Sequence, residues 1–548
     1  MAAQSGYIDV AMNSFWRTLL IGSVAITAVT GIRITTPSEN MTAVPAWSAV
    51  PVLAPLSRFD AAEQSRRGGS GMLRAGAPGW EMKAASQGGS TGGTALSARQ
   101  MRALEMSLAG HNLRKRRSRA GVLASASDDS DLSARVIWLK DMFGTEYSGV
   151  MGVGTARGPA GELTSETELR VIFDTGSADL WVASDLCTDW PCNREGLRRY
   201  NHSRSSTYHP TASLMQVQTE YGSGKLEGQL GVDNVRVGPF VARNQVMGLV
   251  EKESGSAFEQ LPMDGLVGLG FPDLVSSDEA KPGIMENLMM QSSLPLKIFA
   301  FYLHRDPKNG GLMLWGGVDS RLYKDSLVWF PVVEQDYWTL ELVSLRVGDK
   351  AMDFPPVRNL SFSTIGGSSL RRKNSGQQGA TPRWSIPPKL IVDSGTTLFM
   401  IPQSWTDELL KHKGQNINAM PCSRIGQLPK VVFTLTDATG APHDLVVPPE
   451  VYMVRTFFNH MQCLPGFVAS PDLIGDERPM VIIGEIFMRH FFTVFSRGDT
   501  NSSNPNPRGS GGPPSVPAVG FAPARHGGEA DAFLAQAMHP EEKVLAKI

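Results

Sequence analysis

The chain carries the same pattern twice, as Arg170-Val-Ile-Phe-Asp-Thr-Gly-Ser177 and as Leu390-Ile-Val-Asp-Ser-Gly-Thr-Thr397. In each copy an apolar run ends in Asp, a hydroxyl residue and Gly, which predicts a strand followed by a tight turn. Each copy is followed later by a second matching pair, Pro262-Met-Asp-Gly-Leu-Val-Gly-Leu-Gly270 and Pro479-Met-Val-Ile-Ile-Gly-Glu-Ile-Phe487. The repeat predicts two similar β lobes that face each other.

The sequence around these motifs has the pattern of short apolar segments that is typical of an all-β protein. From Val136 onward, short segments rich in Val, Ile, Leu and Phe alternate with Gly, Pro, Asp and Asn, as in ELRVIF, LWVAS, LVWFPV, KLIVD, KVVFTL, DLVVPP and MVIIG. Such spacing predicts many short strands. One short helix is predicted over 404–413. Two polar stretches, 366–383 and 500–514, have the composition of inserted loops.

The bulk composition excludes some classes of protein. At 548 residues the chain is long enough for several domains, and a hydrophobic content of 41% excludes wholesale disorder. The 52 basic residues nearly balance the 53 acidic ones. We therefore expect no nucleic-acid partner, because nothing in the net charge attracts a polyanion.

The N-terminal part reads as a leader followed by a long polar region. Residues 18–32 are uncharged and apolar, which is typical of a signal-peptide core, with an uncleaved signal anchor as the alternative. Residues 33 to about 100 are rich in Gly, Ser, Ala and Pro, which predicts disorder, and residues 33–135 as a whole are predicted to be a low-complexity region and a pro-segment. The basic run 114–119 marks a processing site or a solvated tail. Four Asn-x-Ser/Thr triplets, at Asn40, Asn201, Asn359 and Asn501, are compatible with a lumenal protein.

The four cysteines form two candidate pairs. If Cys187 pairs with Cys192 and Cys422 with Cys463, the chain has two local disulfides and folds in an oxidising compartment. A zinc site is the alternative, although these spacings fit a compact zinc module poorly.

The two Asp-containing turns suggest a specific chemistry. Brought face to face, they would place the carboxylates of Asp174 and Asp393 in contact. Like charges at that distance cannot both ionise, so the pair would hold one proton with a raised apparent pKa. Such a pair can activate a water molecule and protonate a peptide carbonyl at once. No metal, cofactor or covalent intermediate is needed.

Several motifs together resemble the pepsin family of aspartic proteases. The two Asp motifs resemble its catalytic motifs, and Glu220-Tyr-Gly-Ser-Gly224 resembles the hairpin, or flap, that folds over substrate. Asp264–Gly270 and Val481–Gly484 resemble the apolar segments that support the active site. The resemblance covers about 140–525 and implies a bilobal all-β fold with two pseudo-symmetric lobes around a cleft. The implied boundaries are 1–32 for the leader, 33–135 for the pro-region, 136–335 and 336–525 for the two lobes, and 526–548 for a tail.

The resemblance also implies roles for individual residues. Asp174 and Asp393 would be the catalytic pair, with hydrogen bonds from Ser177 and Thr396 to the outer carboxylate oxygens. Tyr221 would close over the substrate. The remaining roles are as follows: Thr175, Gly176, Ser394 and Gly395 shape the two turns, Gly222 and Ser223 belong to the flap, Trp181 is the hydrogen-bond partner of Tyr221, Phe258 and Leu266 line the pocket before the scissile bond, Gly395 and Ser223 contact the substrate backbone, and Cys187–Cys192 and Cys422–Cys463 match the family's disulfides.

These observations predict an aspartic endopeptidase that acts on polypeptides at acidic pH. We expect a secretory zymogen, inhibited by its own pro-segment, monomeric, and either lumenal, extracellular or anchored by its N-terminal apolar segment. The sequence departs from the family at Ala178, where Ser is more common, and in a longer 156–168 loop. Two alternatives remain: a catalytically silent pepsin-like protein that binds peptides, and a membrane-anchored β-rich adhesion protein.

Overall fold

The structure, a computed structural model, describes the part of the chain that carries the repeated motifs. The described residues are 135–142, 144, 146–157, 163–211, 216–221, 224–255, 258–259, 262–352, 388–412, 415–416, 419–455, 461–470, 479–498 and 513–538. The predicted leader, the low-complexity region, the basic run, the insertion 366–383 and nearly all of the insertion 500–514 lie outside these residues.

The described residues are mostly strands, as the alternating apolar segments predict. The strands of the first half are β1 (Val136–Met142), β2 (Glu146–Val153), β3 (Ala156–Arg157), β4 (Leu163–Thr164), β5 (Thr167–Asp174), β6 (Leu180–Ala183), β7 (His209–Pro210), β8 (Gln216–Tyr221), β9 (Gly224–Val237), β10 (Phe240–Ser254), β11 (Gly265–Gly268), β12 (Ile298–Leu303), β13 (Gly311–Trp315), β14 (Val328–Pro331) and β15 (Glu334–Gln335).

The second half continues the same pattern. Its strands are β16 (Trp338–Val347), β17 (Lys350–Ala351), β18 (Lys389–Val392), β19 (Phe399–Pro402), β20 (Lys411–His412), β21 (Gln415–Asn416), β22 (Met420–Pro421), β23 (Val431–Thr436), β24 (Pro442–Val447), β25 (Met453–Arg455), β26 (Gln462–Pro465), β27 (Phe467–Ser470), β28 (Met480–Ile483), β29 (Phe491–Ser496) and β30 (Ala518–Pro523).

Helices in the described residues are short. They are α1 (Ile284–Met290), α2 (Gln403–Leu409), α3 (Pro449–Tyr452), α4 (Glu485–Met488) and α5 (Glu529–Ala537), with 3₁₀ turns at His202–Arg204, Pro272–Leu274, Asp278–Ala280, Pro307–Asn309, Ser320–Leu322 and Cys422–Gln427. Helix α2 confirms the helix predicted within 404–413. None of these helices is both long and apolar enough to cross a membrane.

Two large sheets contain most of the strands. Among the described residues the larger sheet has 14 strands, in the order β14-β30-β29-β12-β13-β1-β2-β5-β11-β6-β10-β9-β7, with β8 on β9. The second has 9 strands, in the order β24-β23-β16-β18-β28-β19-β27, with β15 and β17 on β16. The predicted all-β fold class is confirmed.

The sequence repeat reappears as a repeat of strand pairing. In the first half β11 runs parallel to β5 and antiparallel to β6, and β6 runs parallel to β10. In the second half β28 runs parallel to β18 and antiparallel to β19, and β19 runs parallel to β27. Each Asp motif therefore has its apolar-apolar-Gly segment as its direct neighbour in the sheet.

A buried aromatic core supports the first Asp motif from behind. Trp338 packs against Phe495 with ring centroids 5.0 Å apart and donates a hydrogen bond of 3.0 Å to the Leu269 carbonyl. The backbone N–H of Leu269 in turn donates to the Asp174 carbonyl at 2.7 Å. Aromatic pairs in this geometry add about 0.5–1.5 kcal/mol beyond their buried area. The core thus fixes the backbone on which Asp174 is placed.

The C-terminal segment contains a helix that the sequence pattern did not predict. Helix α5 lies in the stretch 526–548, packs against β1, and buries Ala530, Phe533 and Leu534. The Arg321 guanidinium lies 4.2 Å from the centre of the Phe533 ring. Only one face of this short segment is apolar, so its helical state depends on the surface that it covers.

Candidate active site

The two motif aspartates occupy equivalent positions in the fold. Asp174 is the last residue of β5, and Asp393 directly follows β18. Strand β11, which lies next to β5, ends at Gly268. Strand β28, which lies next to β18, ends just before Gly484. A Cβ atom on Gly268 would lie 2.4 Å from the Ala178 backbone, and one on Gly484 would lie 2.1 Å from the Thr396 carbonyl oxygen. Glycine at these positions lets each supporting strand approach the turn that follows its aspartate.

Each aspartate accepts the same pair of hydrogen bonds from its own turn. The backbone N–H of Gly176 donates to Asp174 Oδ1 at 2.8 Å, and the hydroxyl of Ser177 donates to Oδ2. In the second turn the N–H of Gly395 donates to Asp393 Oδ1 at 2.8 Å.

The second turn repeats the hydrogen bonds of the first, because Gly395 N–H donates to Asp393 Oδ1 and the Thr396 hydroxyl donates to Asp393 Oδ2 at 2.7 Å. Both carboxylates are fully buried, with 0% exposure. These four donors contact both oxygens of each carboxylate and fix the orientation of the two groups.

The two turns are also bonded to each other. The N–H of Thr175 donates to Ser394 Oγ at 3.0 Å, and the N–H of Ser394 donates to Thr175 Oγ1 at 2.9 Å. Each hydroxyl then donates onward, Thr175 to the Val392 carbonyl at 3.0 Å and Ser394 to the Phe173 carbonyl at 2.6 Å. This buried, fully satisfied hydrogen-bond network fixes the position of one turn relative to the other.

The glycine of each turn lies directly against the opposite carboxylate. A Cβ atom added to Gly395 would lie 2.4 Å from Asp174 Oδ1, and one added to Gly176 would lie 2.7 Å from the carboxyl carbon of Asp393. Real Cβ atoms do not approach polar oxygens this closely without displacing them. The close approach of the two turns places the carboxylates of Asp174 and Asp393 next to each other.

We predict that Gly395→Ala lowers kcat/KM for peptide cleavage by about 100-fold or more, because a displacement of about 1 Å in reacting groups has that effect. The added methyl group must push the Asp174 carboxylate aside. Gly426→Ala is the matched control, since a Cβ there meets nothing within 4 Å. Steady-state kinetics of both variants, with circular dichroism to verify folding, check the expectation. A folded Gly395→Ala variant with wild-type activity would contradict it.

The electrostatic environment of Asp174 favours its protonated form. Burial raises the pKa of Asp174 well above its usual range, and the adjacent negative charge of Asp393 raises this pKa further. The hydrogen bonds from Ser177 and Gly176 act in the opposite direction. A carboxyl that keeps its proton at acidic pH can serve as an acid beside an ionised partner.

A second group of buried charges lies beside the aspartates. Glu146 is fully buried, and both of its carboxylate oxygens lack a hydrogen-bond partner among the described residues. Burial raises the pKa of Glu146 well above its usual range, and the charges of Glu485, Asp174 and Asp393 raise this pKa further. The opposing positive charge comes from Arg489.

Arg489 holds this acidic group in place from one side. Its Nε donates to the hydroxyl of Tyr147 at 3.0 Å, and its Nη2 lies 3.5 Å from the Glu485 carboxylate. Burial raises the pKa of Glu485 as well, against the lowering effect of Arg489. Glu146, Glu485 and Arg489 were not predicted from the sequence. Glu485 directly follows the apolar segment Val481–Gly484, which is a weak signal of burial, whereas Glu146 follows Gly144 and Thr145 and has no such signal.

The residues predicted to line the substrate pocket lie together. Trp181 and Phe258 are buried and pack edge to face, with ring centroids 5.7 Å apart. Leu266 is fully buried in the same cluster, directly across from Trp181 in the β6–β11 pairing. The three side chains come from β6, β11 and the segment that contains Phe258, and they form one buried apolar cluster.

The predicted flap is only partly described. Strands β8 and β9 form an antiparallel hairpin whose last pair is Tyr221 with Gly224. Tyr221 thus ends β8 at the tip of the hairpin. Gly222 and Ser223 lie outside the described residues, and so does the side-chain placement of Tyr221. The hydrogen bond predicted between Tyr221 and Trp181 remains a prediction.

The cysteines form the two predicted disulfides. Cys187 is bonded to Cys192, and Cys422 is bonded to Cys463. The zinc alternative is therefore excluded for these four residues. The part of the chain that the structure describes contains no cluster of three or more His, Cys, Asp or Glu side chains suited to a metal ion.

Comparison with known proteins defines the class to which this fold and site belong. The family model described as eukaryotic aspartyl protease matches residues 161–504, which include both Asp motifs. The chain belongs to the eukaryotic aspartyl protease family.

Among individual proteins, the chain is similar to pepsins. It is 32% identical to pepsin A of Bos taurus over 366 residues, which cover 66% of this chain and 84% of that protein. It is also 32% identical over 366 residues to pepsin A of Rhinolophus ferrumequinum and to pepsin-3 of Oryctolagus cuniculus, each match covering 66% of this chain and 81% of the relative. The resemblance to the pepsin family that the motifs indicated is confirmed.

Proposed function

We propose that this protein is an aspartic endopeptidase that hydrolyses peptide bonds with a water molecule activated between Asp174 and Asp393. The observation that carries the proposal is the pair of symmetric turns, in which each buried carboxylate accepts two hydrogen bonds from its own turn and lies against the glycine of the other. Two unneutralised buried carboxylates cost stability, so a purely structural role does not account for them.

The proposed reaction uses one proton shared by the pair. The ionised carboxylate removes a proton from the water molecule while the water oxygen bonds to the scissile carbonyl carbon. The protonated carboxyl donates its proton to the carbonyl oxygen. Asp174 is the candidate for this role because its pKa is raised. As the C–N bond of the resulting gem-diol breaks, the carboxyl that took a proton from water passes it to the leaving amine nitrogen, and the other carboxylate takes a proton from a diol hydroxyl. The pair ends with one proton, as it began.

Substrate binding is assigned to the apolar cluster and the hairpin. Trp181, Phe258 and Leu266 form a wall suited to an apolar side chain on the residue before the scissile bond. Tyr221, Gly222 and Ser223 would close over the bound peptide, with backbone contacts to Ser223 and Gly395. The proposed substrates are therefore polypeptides cleaved next to apolar residues.

We further propose that the protein is synthesised as a secreted precursor, and that the mature enzyme is a monomer that needs no cofactor. The apolar segment 18–32 supports entry into the secretory pathway, and the two disulfides fit an oxidising compartment. The basic run 114–119 would belong to a pro-segment that inhibits the enzyme until it is removed.

The test compares the full-length precursor with protein matured by acid incubation. Both are assayed with a quenched peptide that has apolar residues on either side of the scissile bond, over about pH 4 to 7, with and without pepstatin. We expect pepstatin-sensitive cleavage, an acidic optimum and a less active precursor. A folded mature protein that binds the peptide without cleaving it would instead support the silent peptide-binding alternative.

A further inference from the structure

Arg194 lies directly behind the segment that carries Phe258. It follows the Cys187–Cys192 disulfide, its side chain is half-buried, and its backbone N–H donates to the Pro191 carbonyl at 3.1 Å. Its guanidinium donates a hydrogen bond to the backbone carbonyl oxygen of Phe258. An arginine thus links the disulfide loop to the segment that carries Phe258.

The Phe258 ring contacts both parts of the proposed substrate pocket. On one side it packs edge to face on Trp181. On the other side it lies against the tip of the flap hairpin, because a Cβ on Gly224 would come within 2.5 Å of a ring carbon. A shift of the Phe258 backbone would therefore change the distance between the pocket wall and the flap.

Two acidic residues, Asp264 and Glu253, interact electrostatically with the Arg194 guanidinium. Asp264 is already held by Arg170 through Nε at 2.9 Å and Nη2 at 2.7 Å, and it accepts the backbone N–H of Arg198 at 2.9 Å. Glu253 is the other acid that faces Arg194, and burial raises its pKa to about 7 against the lowering effect of Arg194. Below that pH, Glu253 is mostly protonated and competes less for the guanidinium.

We propose that Arg194 is a positioning residue that holds Phe258 against Trp181 and Gly224, and thereby sets the preference for a large apolar side chain before the scissile bond. The inference rests on the proposed function for its site and names a specificity determinant within it. Arg194 itself does not touch the reacting groups. Its removal should therefore weaken the binding of peptides with a large apolar residue before the scissile bond and leave the chemical step intact.

The test measures binding apart from catalysis. Two reduced-amide peptides, identical except for Phe or Ala before the replaced bond, are titrated by calorimetry at acidic pH into wild type, Arg194→Met and Arg194→Lys. We expect Arg194→Met to weaken the Phe peptide about tenfold and the Ala peptide less than about twofold, the scale of effect that apolar pocket contacts have on specificity. Arg194→Lys should be intermediate, because a single ammonium replaces a planar fork. Arg198→Met is the matched control, since that side chain donates to the Glu168 carbonyl.

A double-mutant cycle separates positioning from a general loss of stability. If Arg194 acts through Phe258, then adding Arg194→Met to Phe258→Ala should cause no further loss of Phe-peptide binding. Equal weakening of both peptides, or additive losses in the cycle, would overturn the inference. If Arg194→Met does not fold, Arg194→Lys supplies the same two-peptide comparison. Kinetics on the matching cleavable peptides should show the change in KM and not in kcat.

The two proposals fail in different ways. Wild-type protein that binds the reduced peptides but cleaves no peptide would refute the endopeptidase function and leave the Arg194 comparison valid. Wild-type protein that cleaves, with a Phe-to-Ala preference unchanged in Arg194→Met, would refute only the role of Arg194. Wild-type protein that binds neither peptide would refute both.

Discussion

Replacing Asp393 by asparagine is expected to lower kcat/KM for peptide cleavage by at least about 1,000-fold, and Asp174→Asn should have the same effect, because general acid–base groups contribute 10²–10⁴-fold each. Asparagine keeps the shape of the side chain but cannot take a proton from water or pass one to the substrate. The loss should appear in kcat at every pH, since no change of pH restores a titratable pair.

The hydrogen bonds of the turn make this a clean substitution. In the second turn, Gly395 N–H and the Thr396 hydroxyl both donate to the Asp393 carboxylate. An asparagine oxygen can still accept the bond from Gly395, and the Thr396 hydroxyl can rotate to accept from the new amide. We therefore expect Asp393→Asn to fold, which circular dichroism and a denaturant midpoint near that of wild type would verify.

Asp179→Asn serves as the matched control for the pair. Asp179 lies five residues after Asp174, and its carboxylate accepts hydrogen bonds from the backbone and hydroxyl of Ser276. Asparagine at 179 can keep one of these bonds, so activity should stay within a few-fold of wild type. Strong cleavage by Asp393→Asn with unchanged pepstatin sensitivity would show that the reaction does not pass through the pair.

The centre of the site could be predicted from sequence because it is encoded locally. An apolar strand, an aspartate, a hydroxyl residue and a glycine determine one turn, and the second copy of the motif predicts that two such turns meet. The pairing of β11 with β5 and of β28 with β18 follows from the same repeat. Each of these inferences needed only a short stretch of chain and the periodicity of strands.

The groups around the centre could not be predicted in this way, because their properties come from burial by distant segments. Glu146 and Glu485 are separated by most of the chain, and either residue alone reads as an ordinary surface acid. The bond from Arg194 to Phe258 joins residues 64 positions apart. Helix α5 is stabilised by the surface beneath it, where Arg321 lies over Phe533, and not by its own sequence.

Glu146 should make the stability of the protein decrease as the pH rises from acid to neutral. A glutamate has a pKa of about 4.3 in the unfolded chain, whereas burial and neighbouring carboxylates raise the pKa of Glu146 well above that in the folded protein. The folded state therefore binds the proton more tightly than the unfolded state. The stability this provides is complete below the unfolded-state pKa and is lost as the pH rises through the folded-state pKa.

The magnitude of the effect follows from linkage. Between the two pKa values, one such group lowers the free energy of unfolding by about 1.4 kcal/mol for each pH unit. The raised pKa values of Glu485 and Asp174 act in the same direction, so the slopes of the three groups combine. We expect urea denaturation midpoints that are highest at acidic pH and fall towards neutral pH.

Glu146→Gln isolates one of these contributions. The amide has nearly the same shape and does not ionise, so the variant should match wild type within about 1 kcal/mol near pH 4 and become the more stable protein as the pH rises. Glu195→Gln is the matched control, because Glu195 is exposed on the surface and its replacement should leave the pH dependence unchanged. Unfolding free energies of the three proteins at each pH unit from about 4 to 7 provide the measurement.

Parallel curves for wild type and Glu146→Gln would show that Glu146 is not the group that titrates. A flattened curve for Glu146→Gln would show that a carboxyl next to the catalytic pair makes the fold depend on acid. The charges of Glu485, Asp174 and Asp393, which raise the pKa of Glu146, would then also destabilise the protein outside an acidic compartment. Activity and stability would share one electrostatic cause, and Glu146→Gln would extend stability to higher pH without removing either catalytic aspartate.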